Sequence, residues 1–248
     1  RGSTQYTTVP DRITHVVSLA KRSIALRKKP NADKKIAILL TNFPTKNANI
    51  GNAVGLDTPA SVIHILNALK EAGYTVGKIP EAGDDLMHAL IAAGGYDKEC
   101  LTEAQIRDAI TIPLGQYDNW YKDIPAKVRS GIEAHWGSPP GEVYRFNDFL
   151  YFAGIRYGNI FIGIQPTRGF GENPVAIYHS SDLPPTHHYL AFYRWLRNDF
   201  SADAIIQCGK HGNLEWLPGK SLALSAECFP EIAILDMPVF YPFVINDP

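Results

Sequence analysis

Residues 204–220 read Ala-Ile-Ile-Gln-Cys-Gly-Lys-His-Gly-Asn-Leu-Glu-Trp-Leu-Pro-Gly-Lys, and the interpretation of the whole chain starts from this stretch. Its first four residues form an apolar run that predicts a buried strand. The residues after Cys208 bring together two lysines, a histidine, a glutamate and three glycines. Open α/β sheets bind ligands at polar loops that follow the carboxyl ends of their strands. We therefore predict a ligand site in residues 209–220, which we call the motif loop.

Two more apolar runs, residues 36–40 and 159–166, also predict buried strands. Asp57 or Thr58 is placed to cap a helix after the first run, and Tyr74-Thr75-Val76 predicts a strand after that helix. We expect an α/β fold, with mainly parallel sheets flanked by helices in two subdomains and the site at strand-end loops. Spacing and capping signals predict helices over residues 12–29, 60–72, 84–93, 102–109, 124–135, 187–199 and 225–234.

The order of these elements divides the chain into four parts. Residues 1–34 form an N-terminal helical segment and residues 35–114 a first α/β subdomain. Residues 115–147 are a connecting region, whose aromatics, prolines and glycines predict a segment laid across a surface or cleft. Residues 148–248 form a second α/β subdomain that carries the motif loop.

The composition excludes several classes of protein. The 248 residues are 45% hydrophobic and 20% charged, with a formal net charge of −1. This near-neutral balance argues against general binding to nucleic acid or to anionic membranes. No apolar run reaches the roughly 18 residues of a membrane span. Three scattered cysteines without a CxxC pair indicate reduced thiols and a cytoplasmic location.

Gly219 and Lys220 at the end of the motif loop, together with the next residue Ser221, match the last three positions of a phosphate-binding loop. That motif also needs a glycine where this chain has Leu214. Pro218 has no N–H to offer to a phosphate. We therefore predict that this loop does not bind a nucleotide.

His211 and Glu215 are four residues apart, so one helical turn would place them on the same face. They would then form a weak metal site, a proton-transfer pair, or a hydrogen bond that only holds the loop. The spacing alone does not separate these interpretations. Lys210 and Lys220 would bind an anionic substrate or remain solvated surface charges.

His187 and His188 are further candidates because they begin the helix predicted over residues 187–199. Adjacent helical residues point about 100° apart, so at most one of the two would face a given metal ion. The alternative is that one caps or packs while the other is exposed. The predicted topology brings both histidines close to Arg168, His211 and Glu215.

The motif loop closely resembles the signature of the large component of cobaltochelatase (CobN type), whose family includes the H component of magnesium chelatase. Lys210, Asn213, Trp216 and Leu217 resemble the cobalt branch at this signature. Family members are several times longer, so the resemblance implies that this chain is an internal fragment. Further blocks that resemble the family are residues 49–61, 158–166, 168–172, 184–189 and 241–248.

The resemblance implies ATP-dependent insertion of Co²⁺ into the corrin-ring precursor hydrogenobyrinic acid a,c-diamide during aerobic cobalamin synthesis. AAA+ ATPase partner subunits would hydrolyse the ATP, which this segment would not bind. One alternative is the H component of a magnesium chelatase, which inserts Mg²⁺ into protoporphyrin IX. An alternative of another class is a non-catalytic structural or partner-docking module of a chelatase complex.

The resemblance also suggests roles for particular residues. We hypothesise that Glu215 accepts a ring proton or guides the cation, while His211 relays protons or ligates the incoming metal transiently. His187 would be a further metal ligand. The residues expected to contact the macrocycle are Lys210, Asn213, Lys220, Arg168 and Trp216.

Overall fold

The computed structural model describes residues 6–43, 45–170, 177, 180–209 and 214–242. The helices are α1 (Pro10–Lys28), α2 (Thr58–Glu71), α3 (Gly83–Ala92), α4 (Glu103–Asp108), α5 (Leu114–Tyr121), α6 (Ala126–Trp136), α7 (His187–Asn198) and α8 (Phe229–Ile234). The strands are β1 (Ile36–Leu40), β2 (Ile110–Pro113), β3 (Arg145–Phe146), β4 (Phe149–Phe152), β5 (Gly154–Tyr157), β6 (Ile160–Ile164), β7 (Ala204–Cys208) and β8 (Val239–Phe240).

A five-stranded sheet in the order β5-β6-β1-β7-β8 forms the centre of the protein. β6, β1, β7 and β8 are parallel, and β5 joins the edge antiparallel to β6. All five residues of β1 are buried, as expected for an aliphatic strand covered on both faces of a sheet. The predicted α/β class with a mainly parallel sheet is confirmed.

Helices cover both faces of this sheet. Alternate residues of β1 belong to two separate cores because successive side chains of a strand point to opposite faces. Ile36, Ile38 and Leu40 pack with residues of α2 and α3. Ala37 and Leu39 pack with residues of α5, α6, α7 and α8. No helix in the described part of the chain is both long enough and apolar enough to cross a membrane.

The predicted strand at residues 74–76 is wrong, because this segment has no strand conformation in the structure. β6 and β7 occupy the two edges of β1, so no edge remains for it. The segment instead crosses the end of the β5–β6 hairpin, where the carbonyl of Thr75 accepts a hydrogen bond from the amide of Asn159 at 2.9 Å. The sheet thus combines strands from both predicted subdomains, whose boundaries stay a prediction.

The predicted connecting region, residues 115–147, contributes to the core in addition to crossing the surface. Tyr117 and Tyr121 of α5 and Ile132 of α6 are buried against α7. Preceding α5, β2 pairs antiparallel with β4, which also pairs with β3. Sequence reasoning predicted α6 but missed α5 and this small sheet.

Candidate functional site

The central strands end together at one edge of the main sheet. Leu40 lies in register with Ile164 on β6 and with Cys208 on β7. The polar segments after these strands, which include Thr41 and Gly209, therefore begin side by side. This is the strand-end position predicted for the site.

Glycine is required where β7 leaves the sheet. A Cβ atom on Gly209 would lie 2.5 Å from Oγ1 of Thr41, which is shorter than any ordinary contact. The motif loop therefore starts in close contact with the segment after β1. This contact fixes where the loop emerges from the sheet.

Several buried polar side chains lie at the carboxyl ends of the central strands. The hydroxyl of Tyr193 on α7 donates a hydrogen bond to Oε1 of Gln165 at 2.9 Å. Within the described residues, the side-chain polar atoms of Thr41, Asn42 and Gln207 have no hydrogen-bond partner, although all three are buried. Leaving such a group unpaired costs about 1–3 kcal/mol. A polar partner from outside the described residues would therefore stabilise these groups.

Glu215 stands in the second half of the motif loop. Leu214–Trp216 forms one turn of 3₁₀-helix that is anchored by the buried Leu217. The Glu215 side chain is exposed, and the hydroxyl of Tyr241 donates to its Oε1 at 3.2 Å. Burial, and to a smaller degree the Glu215 carboxylate, raises the pKa of Tyr193. An exposed carboxylate held beside a phenol is suited to accept a proton from a ligand above it.

Three predicted site residues, Lys210, His211 and Asn213, lie outside the described residues. The pairing of His211 with Glu215 therefore stays a prediction. Of the remaining motif-loop residues, Lys220 has an exposed side chain, and its amide donates to Sγ of Cys228 at 3.4 Å.

Arg168 is almost fully buried, with 1% of its surface exposed. Its guanidinium donates to the backbone carbonyls of Ser180 and Leu183 at 2.6 and 2.8 Å. It also donates to the carbonyl of Trp216 in the motif loop. This arrangement ties the motif loop to the segment after β6, so Arg168 holds the loop in place instead of reaching out to a carboxylate of the substrate.

The predicted metal ligand His187 has partners on both ring nitrogens. Nδ1 lies 3.0 Å from the hydroxyl of Tyr117, and Nε2 lies 2.9 Å from the carbonyl of Gly137. The carbonyl can only accept, so Nε2 carries the proton and Nδ1 accepts from Tyr117. His187 therefore bridges α5 and the end of α6, and neither nitrogen remains for a metal ion in this arrangement.

His188 points into an aromatic cluster. Its Nε2 donates to the carbonyl of Tyr151 at 2.7 Å, and its ring packs against Tyr96 and Tyr144. Burial lowers the pKa of His188 to about 4. Across the described ranges, no group of three or more His, Cys, Asp and Glu side chains has the arrangement of a metal site.

A cavity of about 300 Å³ opens beside the motif loop, between the segments after β1 and β6. Its walls include four aromatic side chains, and Arg168, which also lines it, donates to the carbonyl of Trp216. Sequence reasoning missed this cavity, since residues from four distant segments line it and none forms a local motif. Its lining includes Phe43, Lys46, Tyr96, Asp97, Lys98, Glu99, Tyr144, Arg168 and Phe170.

Comparison with known proteins gives this site a context. The family model described as CobN/Magnesium Chelatase matches residues 1–248, the whole chain. The chain belongs to the CobN/magnesium chelatase family. This match confirms the family resemblance carried by the motif loop.

Individual members of the CobN/magnesium chelatase family show the same relationship. The chain is 44% identical to the aerobic cobaltochelatase protein CobN of Pseudomonas aeruginosa, over 96% of this chain and 19% of that protein. It is 34% identical to the H component of the magnesium chelatase of Rhodobacter capsulatus, again over 96% of this chain and 19% of the relative. The chain therefore spans about a fifth of the length of these relatives.

A solved structure supports the same assignment. The catalytic subunit of cobaltochelatase from Mycobacterium tuberculosis superposes with a TM-score of 0.84 at 45% identity. The match covers 98% of this chain and 20% of that subunit. The fold described above is thus the fold of one segment of a family member.

Proposed function

We propose that this chain is the ring- and metal-handling segment of the large subunit of a cobaltochelatase. The observation that carries the proposal is the family's motif loop at the carboxyl ends of β1, β6 and β7. There Glu215 is exposed near buried polar groups that have no partner among the described residues. Ligands bind at this position in open α/β sheets.

The substrates in this proposal are Co²⁺ and hydrogenobyrinic acid a,c-diamide, in the aerobic synthesis of cobalamin. The chain is 44% identical to a CobN protein but 34% identical to the H component of a magnesium chelatase, and this difference supports the choice of cobalt. ATP would be hydrolysed by separate AAA+ partner subunits, since the motif loop lacks the chemistry of a phosphate loop. The three unpaired cysteines agree with a cytoplasmic location.

The chemistry to be performed has two parts. Ring N–H protons must leave, and the hydrated cation must lose water as ring nitrogens replace it. In our proposal the Glu215 carboxylate accepts a ring proton, and Tyr241 orients it through their 3.2 Å hydrogen bond. His211 then relays the proton or ligates the cation transiently.

The other residues of the motif loop hold the macrocycle. Trp216, with 36% of its surface exposed, offers an aromatic face to the ring. Lys210, Asn213 and Lys220 would bind polar groups at the ring periphery. Arg168 contributes indirectly, because its hydrogen bond to the Trp216 carbonyl fixes the loop.

Replacing Glu215 with glutamine in the full-length subunit tests the proposal, since this change removes the charge but keeps the shape. We expect ring binding to change by less than about twofold, and Co²⁺ insertion with partners and ATP to fall by about 10²-fold or more. Binding is read by fluorescence quenching and insertion by the absorbance of the product. Glu71→Gln is the matched control, because Glu71 is exposed at the end of α2, away from the carboxyl ends of the strands.

Insertion by the Glu215→Gln subunit at the wild-type rate would show that Glu215 handles neither proton nor metal. Insertion of Mg²⁺ into protoporphyrin IX by the wild-type complex, without insertion of Co²⁺, would replace the cobalt assignment with the magnesium one. Failure of the wild-type subunit to bind any ring would favour a docking module.

A further inference from the structure

We propose that the 300 Å³ cavity beside the motif loop binds a carboxylate-bearing edge of the macrocycle, and that Lys98 supplies the cation. The inference rests on the proposed function and adds a substrate-specificity residue outside the motif loop. The cavity's size, its walls, its charges and its connection to Trp216 support this assignment.

The cavity suits part of a macrocycle better than a whole one. Pockets for complete small-molecule ligands have volumes of about 300–1,000 Å³, so this cavity lies at the lower limit. Phe43, Tyr96, Tyr144 and Phe170 give it flat apolar walls. A pyrrole-type edge would fit between such walls while the remainder of the ring stays outside.

The cavity and the motif loop are joined through Arg168. This residue lines the cavity, and its guanidinium donates to the Trp216 carbonyl. A ring whose edge enters the cavity would therefore extend towards Trp216. In this inference the cavity and the motif loop together form one binding face.

The charges in the cavity distinguish Lys98 from its neighbour Lys46. Nζ of Lys46 lies 2.7 Å from a carboxylate oxygen of Glu99 and 3.7 Å from one of Asp97. The Glu99 hydrogen bond is the largest cause that raises the pKa of Lys46. Lys46 is therefore already neutralised by carboxylates of the protein.

Lys98 forms no ion pair with any described residue. Its Nζ lies 5.5 Å from the ring centroid of Tyr144 and 5.4 Å from that of Phe170. These cation–π contacts hold the ammonium at the aromatic walls, while its N–H donors remain able to bind a carboxylate. An incoming carboxylate would therefore pair with Lys98 and not with Lys46.

The wall behind Lys98 is rigid. Tyr144 has a φ of 50°, which is unusual for a bulky residue. Its hydroxyl donates to the carbonyl of Tyr96 at 2.8 Å, and its ring packs 4.9 Å from that of His188. Strained residues fixed by their surroundings are concentrated at ligand sites, where they are already positioned for binding.

The test compares two probes that differ only at the carboxylates, hydrogenobyrinic acid a,c-diamide and its methyl ester, in the same detergent with the full-length subunit. Quenching of tryptophan fluorescence gives the Kd values. We expect Lys98→Met to weaken binding of the acid by about tenfold and to leave binding of the ester unchanged, because a charge-assisted hydrogen bond is lost only with the acid. Lys70→Met is the matched control, because Lys70 is exposed at the end of α2 and does not line the cavity; we expect it to change the Kd of either probe by less than about twofold.

Lys98 is exposed, so its replacement is compatible with folding, and circular dichroism of each variant verifies this. Equal loss of acid and ester binding in Lys98→Met, or an equally large effect of Lys70→Met, would overturn the inference while the proposed function stands. Absence of binding of both probes to the wild-type subunit would overturn both proposals together.

Discussion

The buried His188 makes the stability of this chain sensitive to mild acid. Its ring is 1% exposed and is surrounded by Tyr96, Tyr144, Tyr151 and Phe152. Burial lowers its pKa from the usual 6.5 to about 4, although the hydrogen bond to the Tyr151 carbonyl opposes this shift. The folded state therefore prefers the neutral ring.

The magnitude follows from proton linkage. As the pH falls below about 6.5, the unfolded state binds a proton at His188 that the folded state refuses until about pH 4. The stabilisation that neutral His188 gives the folded state is complete above about pH 6.5. It is lost as the pH falls from about 6.5 to about 4, and it does not change further below pH 4. At 1.36 kcal/mol per pH unit, the loss is about 3 kcal/mol.

Urea unfolding of the chain between about pH 7 and pH 4.5, with His188→Gln in parallel, measures this effect. Glutamine keeps an N–H donor for the Tyr151 carbonyl but does not titrate, so the variant should lose about 2–3 kcal/mol less over this range. Burial also lowers the pKa of His187, but its effect on stability is the same in both proteins and cancels in the comparison. Equal losses in the two proteins would refute the assignment of acid sensitivity to His188.

Two further predictions concern the anchoring of the motif loop, and both are read by urea unfolding. Arg168→Met should destabilise the chain by about 3 kcal/mol or more, because three backbone carbonyls lose their donor; a loss below about 1 kcal/mol would contradict this role. Gly209→Ala should cost about 2 kcal/mol, since its Cβ would lie 2.5 Å from Oγ1 of Thr41. Gly115→Ala in α5 is the control, because its new Cβ would meet nothing within 4 Å, and it should raise the stability slightly. Similar changes in stability for the two variants would contradict the steric explanation for Gly209.

Local signals explain which elements of the fold were predictable from the sequence. The side chain of Asp57 caps α2 by accepting from the amide of Ala60 at 3.0 Å, and Thr102 and Gln105 form a capping box at the start of α4. The apolar runs of β1, β6 and β7 are likewise recognisable without tertiary information.

Other elements depend on contacts that are distant in the sequence. α5 begins directly after β2 without a side-chain cap, and it is held by burial of Tyr117 and Tyr121. The segment at residues 74–76 has the composition of a strand, but its place beside β1 is taken by β6. The strand propensity of a segment does not indicate which of several candidate segments will pair with β1.

The position of the motif loop in the fold was predictable, but the contacts of the candidate site residues were not. The motif loop follows β7 as predicted, and Glu215 is exposed near the strand ends. The contacts of Arg168 and His187 with backbone carbonyls could not be read from spacing, because their partners come from other segments. Lys98 has no local signal at all and becomes a candidate only through Tyr144 and Phe170.

The central position of β1 has a consequence for how the chain folds. Ile36 pairs with Ile160 on one side and with Ala204 on the other, so β1 leaves the ribosome long before either neighbouring strand exists. Pairings between residues so far apart in sequence form slowly, and an aliphatic strand that waits unpaired is prone to aggregate. The main sheet therefore combines β1, from the first part of the chain, with β6, β7 and β8, from its last part. A cut between β1 and β6 would leave one piece without the neighbours of β1 and another piece without the central strand.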